Sequence, residues 1–488
     1  MKKLLKLVGY DKSKKTTVKT ELVAGVVTFL AMAYILTVNP DQIVGAGSPY
    51  WASVFMATAL GAVIGTLLMA FVAKMPLAQA SGMGLNSMLG GIIGGWGGYG
   101  AAFTPGQGFM LVLISGFVFL LLSVVGIKGK TIRELVFDGM PTAVKSSISV
   151  GIGLFIAFIG FQNSKIIVDD PYVLLKLVDL NTFNANTANA IVCLTGLFII
   201  AVLDRMDIKG SIIMGVVGAA VVGIPLGVTD LSILAGSGDI SWKFWENFAN
   251  FFAGESSVFF SFTDVFHEGL APAGVSVFTV IMILITMCMI DMFDTMGTIV
   301  GCCSGNRILS DENNKPVNYS KIMLSDAVAT CTGAMLGTST VTTFVESGTG
   351  VSAGGRTGLT ALSTATMFFL SLFALPLFAT IPSAAASAAL IYVGVLMMKN
   401  NAQSIDFSNT VGSTSAFLTV SVMVLSYSIT KGIGVGMIAY TFMSLAFYLV
   451  NLVKSLITKT EKPTFDVSVV SIVVTLLFCV YFFVPTVI

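Results

Sequence analysis

Charge is what this sequence lacks most. Asp, Glu, Lys and Arg make up 10% of the chain, against about 25% in a typical soluble protein, which excludes a soluble globular fold. Histidine occurs once, at His267, in a hydrophilic connection beside Glu268 that reads as a solvated loop. Catalysis or metal binding built on histidine is thereby excluded. The six cysteines (Cys193, Cys288, Cys302, Cys303, Cys331, Cys479) lie mostly inside apolar runs, without a C-x-x-C pair or a Cys/His grouping. Neither a zinc site nor a disulfide framework is expected. No nucleophile/base pair is found either, so an enzyme is not expected, nor a cofactor or metal. A net charge of +1 offers no basic surface for nucleic acid. The glycine-rich stretch 90–100 lacks the Lys-Ser/Thr of a phosphate-binding loop.

What is present is hydrophobic length. Over 488 residues, 55% are hydrophobic and the mean hydropathy is +0.91, so the natural unit is the bilayer span of about 20 apolar residues. Charged, Pro and Gly punctuation divides the chain into fourteen such stretches, at about 21–38, 51–73, 76–94, 107–127, 140–161, 188–204, 210–227, 274–302, 319–337, 338–354, 357–380, 382–398, 412–430 and 432–452. A further stretch, 467–486, is apolar enough to span, but it contains Pro485 and no charge follows it. The lysine-rich start, residues 1–20, reads as a retained cytoplasmic tail without a signal peptide. With that tail inside, the Lys and Arg residues fall on inner connections, except Lys145 within a span and the outer Lys165, Lys176, Lys243 and Lys431. That asymmetry fits the positive-inside rule. The longest outer connection, 228–273, is acidic and carries Trp242, Trp245 and several Phe suited to an interfacial helix, and reads as an outer cap.

The two halves echo one another. Met140-Pro141-Thr142-Ala143 reappears as Ile381-Pro382-Ser383-Ala384, and the Gly-rich segment Gly82–Gly91 reappears around Gly348–Gly355. Seven spans per half is an odd number, so the second copy runs inverted, a transporter signature. The expected fold is therefore an all-α polytopic membrane protein, a 7+7 inverted repeat of 14 transmembrane segments lying in the lipid bilayer.

Three carboxylates stand in apolar surroundings: Asp291, Asp294 and Glu346. A charge at the bilayer centre is costly, so each is expected to face a cavity or a partner. Three residues apart, Asp291 and Asp294 share adjoining parts of one helix face. Asp291 admits two roles, a partner for backbone or hydroxyl groups or a proton-coupling acid beside Asp294 and Glu346. Asp326, near the inner end of its span, reads as structural, and Arg356 as an inner-face anchor. The β-branched run Thr338–Val345 favours extended backbone ahead of Ser347-Gly348, which suits a helix start. Pro76–Asn86 has a similar break-prone character, so short extended stretches are expected in broken segments 3 and 10, with two half-helices facing one midplane site. Asn86 admits helix capping or ligand contact.

These residues resemble a known family. Thr20-Glu21-Leu22-Val23-Ala24-Gly25, Thr28–Leu36, Val38-Asn39-Pro40, Gly82-Met83-Gly84-Leu85-Asn86, Phe293-Asp294-Thr295-Met296-Gly297-Thr298, Gly337–Ser347 and Gly354–Thr360 resemble, in that order, the AzgA-like purine permeases of the nucleobase/cation symporters. The resemblance runs from about residue 20 to 452. It implies a core domain (21–127 and 274–380) and a gate domain (128–227 and 381–452), with the outer loop 228–273 between the halves and an apolar C-terminal segment, 453–488. It implies alternating-access uptake of a purine nucleobase (adenine, guanine or hypoxanthine) with a proton or another cation. Asn86, Asp294, Phe344, Glu346, Gly84 and Thr298 are then substrate-binding candidates, and Asp294, Glu346 and Asp291 proton-coupling candidates. Where many relatives have an aromatic-containing Asn-Ala-Tyr/Phe-Phe, this chain has Asn86-Ser87-Met88-Leu89, which leaves base stacking to a residue such as Phe344. An anion carrier of the same fold is the alternative, disfavoured by two acids at the site. A channel would need a continuous polar path. Oligomeric state stays open, a homodimer included.

Overall fold

The computed structural model describes residues 2–11, 16–95, 101–127, 130–131, 135, 139–236, 240–303, 308–310, 316–458 and 467–483. Among them, seven helices are each long and apolar enough to cross a membrane: Val18–Ile43, Trp51–Ala73, Pro105–Val124, Thr142–Asn163, Ala185–Arg205, Gly358–Ala379 and Ile429–Thr458. Further apolar helices at Met83–Ile93, Ser211–Gly223, Val277–Cys303, Tyr319–Leu336, Ser383–Asn401 and Thr410–Leu425 pack among them. The protein is a multi-pass, mostly helical membrane protein.

Helix starts follow local chemistry. Thr104 caps Pro105–Val124 in a reciprocal pair with Gln107, and Asn184 accepts from the Thr187 N–H at the start of Ala185–Arg205. Pro141 and Pro382, the echoed prolines, take the same N-cap position in extended backbone, before Thr142–Asn163 and Ser383–Asn401. The first segment departs from the uninterrupted span expected at 21–38. It breaks at Ala33–Tyr34 into Val18–Met32 and Ile35–Ile43. Pro40 lies inside the second piece, where its ring and missing N–H disfavour a straight helix.

Packing repeats by a two-fold rule. Pro105–Val124 lies against Tyr319–Leu336, as Gly358–Ser371 lies against Trp51–Leu68. Ala185–Arg205 packs on Ser211–Gly223, as Thr410–Leu425 packs on Ile429–Thr458. Thr142–Asn163 and Ser383–Asn401, equivalent to each other, pack together. At their crossing a Cβ on Gly394 would meet the Gly153 carbonyl oxygen at 2.5 Å, and one on Gly153 would meet the Gly394 oxygen at 3.0 Å. Small residues let the two backbones approach.

The extended stretches expected from the β-branched and Pro/Gly runs are present at the centre. Gln79–Ser81 pairs antiparallel with Val341–Thr343, in the register Gln79↔Thr343, Ala80↔Thr342, Ser81↔Val341. Equivalent strands that pair antiparallel about a common centre are what two oppositely directed copies produce. Each strand leads into a half-helix, Met83–Ile93 and Ser347–Ser352. A Cβ at Gly82 would meet Thr342 Cγ2 at 2.7 Å, so glycine is what lets the chains cross here.

Outside the repeat, the connection after Ser211–Gly223 forms the helix Phe244–Ala253. Phe244 stacks on Phe373 at 4.3 Å between ring centroids. The Val258 N–H donates to Ser53 Oγ at 3.0 Å, and Gln107 Nε2 to the Gly269 carbonyl at 2.9 Å. Trp242, Trp245 and His267 are exposed on this cap. The apolar stretch near the C-terminus forms a helix, Val469–Phe483, that packs on Ile429–Thr458 through Phe478, Phe482 and a 2.7 Å Thr441–Thr475 hydroxyl pair.

Candidate functional site

The strand crossing fixes the site, because it points side chains of two broken segments into one region. Its interior is a buried hydroxyl and amide network. Asp326 accepts from Gln79 Nε2 at 3.0 Å and from Thr295 Oγ1 at 2.9 and 3.0 Å, and Thr295 also bonds Thr342 across the crossing. Asn39 Nδ2 donates to Thr58 Oγ1 at 2.6 Å and to Thr338 Oγ1 at 2.9 Å. These bonds hold extended backbone inside an apolar body, where unmet polar groups are expensive. Asp326 has the structural position expected of it.

Beside this network lies a cavity of about 970 Å³. Gly84, Asp294, Thr298, Phe344 and Glu346 line it on one side, and Ile152, Ile156 and Val393 on the other. Asp294 is half-buried, whereas Thr298, Phe344 and Glu346 are buried in the wall. Asp204, Lys209, Arg356 and Lys399 line it as well. Arg356, read as an anchor, is part of this wall, and its N–H donates to Glu21 Oε1 at 3.1 Å.

Two candidates are placed elsewhere. Asn86 is fully buried, accepts from the Ser339 hydroxyl and donates to the Ser81 carbonyl at 3.4 Å. It ties the broken segments to each other and does not line the cavity. Asp291 is buried one turn away, where Thr330 Oγ1 donates to its Oδ2 at 3.3 Å. Of its two readings from sequence, the structure displays the hydroxyl partner.

Sequence reasoning missed two residues. Tyr34, at the break in the first segment, is buried, and its hydroxyl donates to Glu346 Oε1 at 2.7 Å. A tyrosine in an apolar run carries no signal that sets it apart from packing. Glu21 is fully buried and accepts from the N–H groups of Arg356 and Thr357 and from Thr360 Oγ1. In sequence, an acid in the first turn of a helix reads only as a dipole partner.

Residues 19–435 match the model of the Xan_ur_permease family, described as a permease family. The chain belongs to this permease family. The guanine/hypoxanthine permease PbuO of Bacillus subtilis is 34% identical over 446 residues, covering 89% of this chain and 93% of that one. The adenine permease AdeP of Escherichia coli is 31% identical over 444 residues, covering 88% of each. These matches bear out the AzgA-like resemblance, and make the protein a transporter and not an enzyme. Among solved structures, the transmembrane domain of a cyanobacterial bicarbonate transporter, BicA, superposes with a TM-score of 0.57 at 15% identity, covering 84% of this chain and 96% of that one. At that identity the likeness is one of fold.

Proposed function

We propose that this permease is a secondary active transporter that carries purine nucleobases (adenine, guanine or hypoxanthine) into the cell with protons, by alternating access. The observation that carries the reading is that Asp294, Phe344 and Glu346, from two different segments, line one cavity. A purine presents N–H donors, ring-nitrogen acceptors and a flat π face. Carboxylates accept from the first, and an aromatic ring stacks on the last. The free N–H groups in the first turn of Met83–Ile93 suit the acceptors, since Met83 and Gly84 line the same cavity. The names of the relatives, guanine/hypoxanthine permease for PbuO and adenine permease for AdeP, agree with this cargo.

A carboxylate that is solvated from one side and then the other is a device for carrying a proton. We assign that role to Glu346 and Asp294. The helix packing supports a core of the first four and the eighth to eleventh segments, and a gate of the fifth to seventh and the twelfth to fourteenth, with the cavity between them. The Lys/Arg asymmetry supports a cell-membrane protein with a cytoplasmic N-terminus. The cavity then opens inward, because Asp204, Lys209 and Arg356 belong to inner connections.

The test is uptake of radiolabelled adenine, guanine and hypoxanthine into proteoliposomes, with and without an inward proton gradient. Saturable uptake of a base, raised by the gradient, is the expected result. Uptake of bicarbonate or another anion in place of any base would return the function to the anion carrier.

A further inference from the structure

A second cavity, of about 510 Å³, lies in line with the first. Both follow the same two helices. Met83 and Gly84 line the first cavity while Ser87, Gly90 and Ile93 line the second. On the facing helix, Ile152 and Ile156 line the first, and Ile159 and Asn163 the second. Between these helices, a Cβ on Gly84 would meet Ile152 Cγ2 at 3.1 Å. The second cavity is thus the other end of one crevice, toward the face that carries the outer cap.

Its wall is unusual at Gln42. This residue is 9% exposed, and neither its amide oxygen nor its amide nitrogen has a hydrogen-bond partner among the described residues. A buried amide without partners is costly, so a wall that keeps one is shaped for a group that arrives. Next to it Asp41, also lining the cavity, accepts from Trp51 Nε1 at 2.7 Å. Phe103 and Tyr427 supply aromatic walls, and Tyr427 is held edge-on by Phe155 at 5.4 Å.

We propose that this outer cavity is a second nucleobase site, occupied by the base before it reaches Asp294 and Glu346. The inference rests on the purine reading of the inner cavity. A carboxamide offers a donor beside an acceptor, the pattern that reads a purine edge bidentately, as Gln does with adenine N6 and N7. The Asp41 carboxylate accepts from a ring N–H and repels an anion. A volume of about 510 Å³ lies within the usual range for small-molecule pockets. Both cavities are present in one conformation, so both sites fill together.

Equilibrium dialysis of tritiated hypoxanthine, adenine and guanine against the purified full chain tests this, with Gln42→Leu, Glu346→Gln and the double variant. The wild type is expected to bind two bases per chain. Gln42→Leu keeps inner-site binding, which also reports its folding, and weakens the outer site about tenfold, the equivalent of about 1.4 kcal/mol. Glu346→Gln keeps the outer site and weakens the inner one, and the double variant weakens both. One base per chain, weakened by Glu346→Gln and untouched by Gln42→Leu, would overturn the outer site and leave the transport reading standing. No base bound by the wild type would overturn both.

Discussion

The Tyr34 hydroxyl donates to Glu346 Oε1 at 2.7 Å, joining residues 312 positions apart. Tyr34 stands at the break of the first segment, and Glu346 at the start of the second half-helix. The bond therefore links one repeat's entry helix to the other repeat's broken segment. It also occupies one oxygen of the Glu346 carboxylate.

Tyr34→Phe removes that donor and leaves the ring in place. Base binding should weaken, and the effect should vanish when Glu346 is already Gln. A double-mutant cycle on base affinity is expected to give a coupling of about 1.5 kcal/mol or more, as for hydrogen bonds to charged groups. Additive effects would show that Tyr34 acts only by packing.

Asn86 makes a contrasting prediction. It cross-links the segments through Ser339 and Ser81, so Asn86→Ala strands a buried hydroxyl and should cost about 1–3 kcal/mol of stability. Thermal unfolding of the purified protein should show the loss. Base affinity should change less than in Asp294→Asn; the opposite order would return Asn86 to the ligand.

Gly394→Ala tests the gate crossing. The added methyl would stand 2.5 Å from the Gly153 oxygen, and overpacking of this kind costs about 1–3 kcal/mol. A lowered melting temperature is expected, and an unchanged one would mean that the two helices part without penalty.

These cases show what the sequence can and cannot carry. Asp294 and Glu346 were legible because an acid in an apolar run has few reasons to be there, and Thr338–Val345 because β-branching resists a helix. The echo of Pro141 and Pro382 marked the repeat correctly, since both became N-caps. Tyr34 was not legible, because its partner lies in the other half of the chain. Asn86 and Asp291 were recognised as polar misfits, yet polarity alone does not say whether the partner is a ligand or a hydroxyl of the same protein. Here Ser339 and Thr330 take those places. The break at Ala33–Tyr34 was hidden by unbroken hydrophobicity.

The most direct test of the account compares gradient-driven accumulation with base-for-base exchange in proteoliposomes, for the wild type and Glu346→Gln. The account predicts that an inward proton gradient drives accumulation in the wild type, and that Glu346→Gln does not respond to the gradient. Wild-type uptake indifferent to the gradient, or a variant that accumulates base as the wild type does, would contradict it.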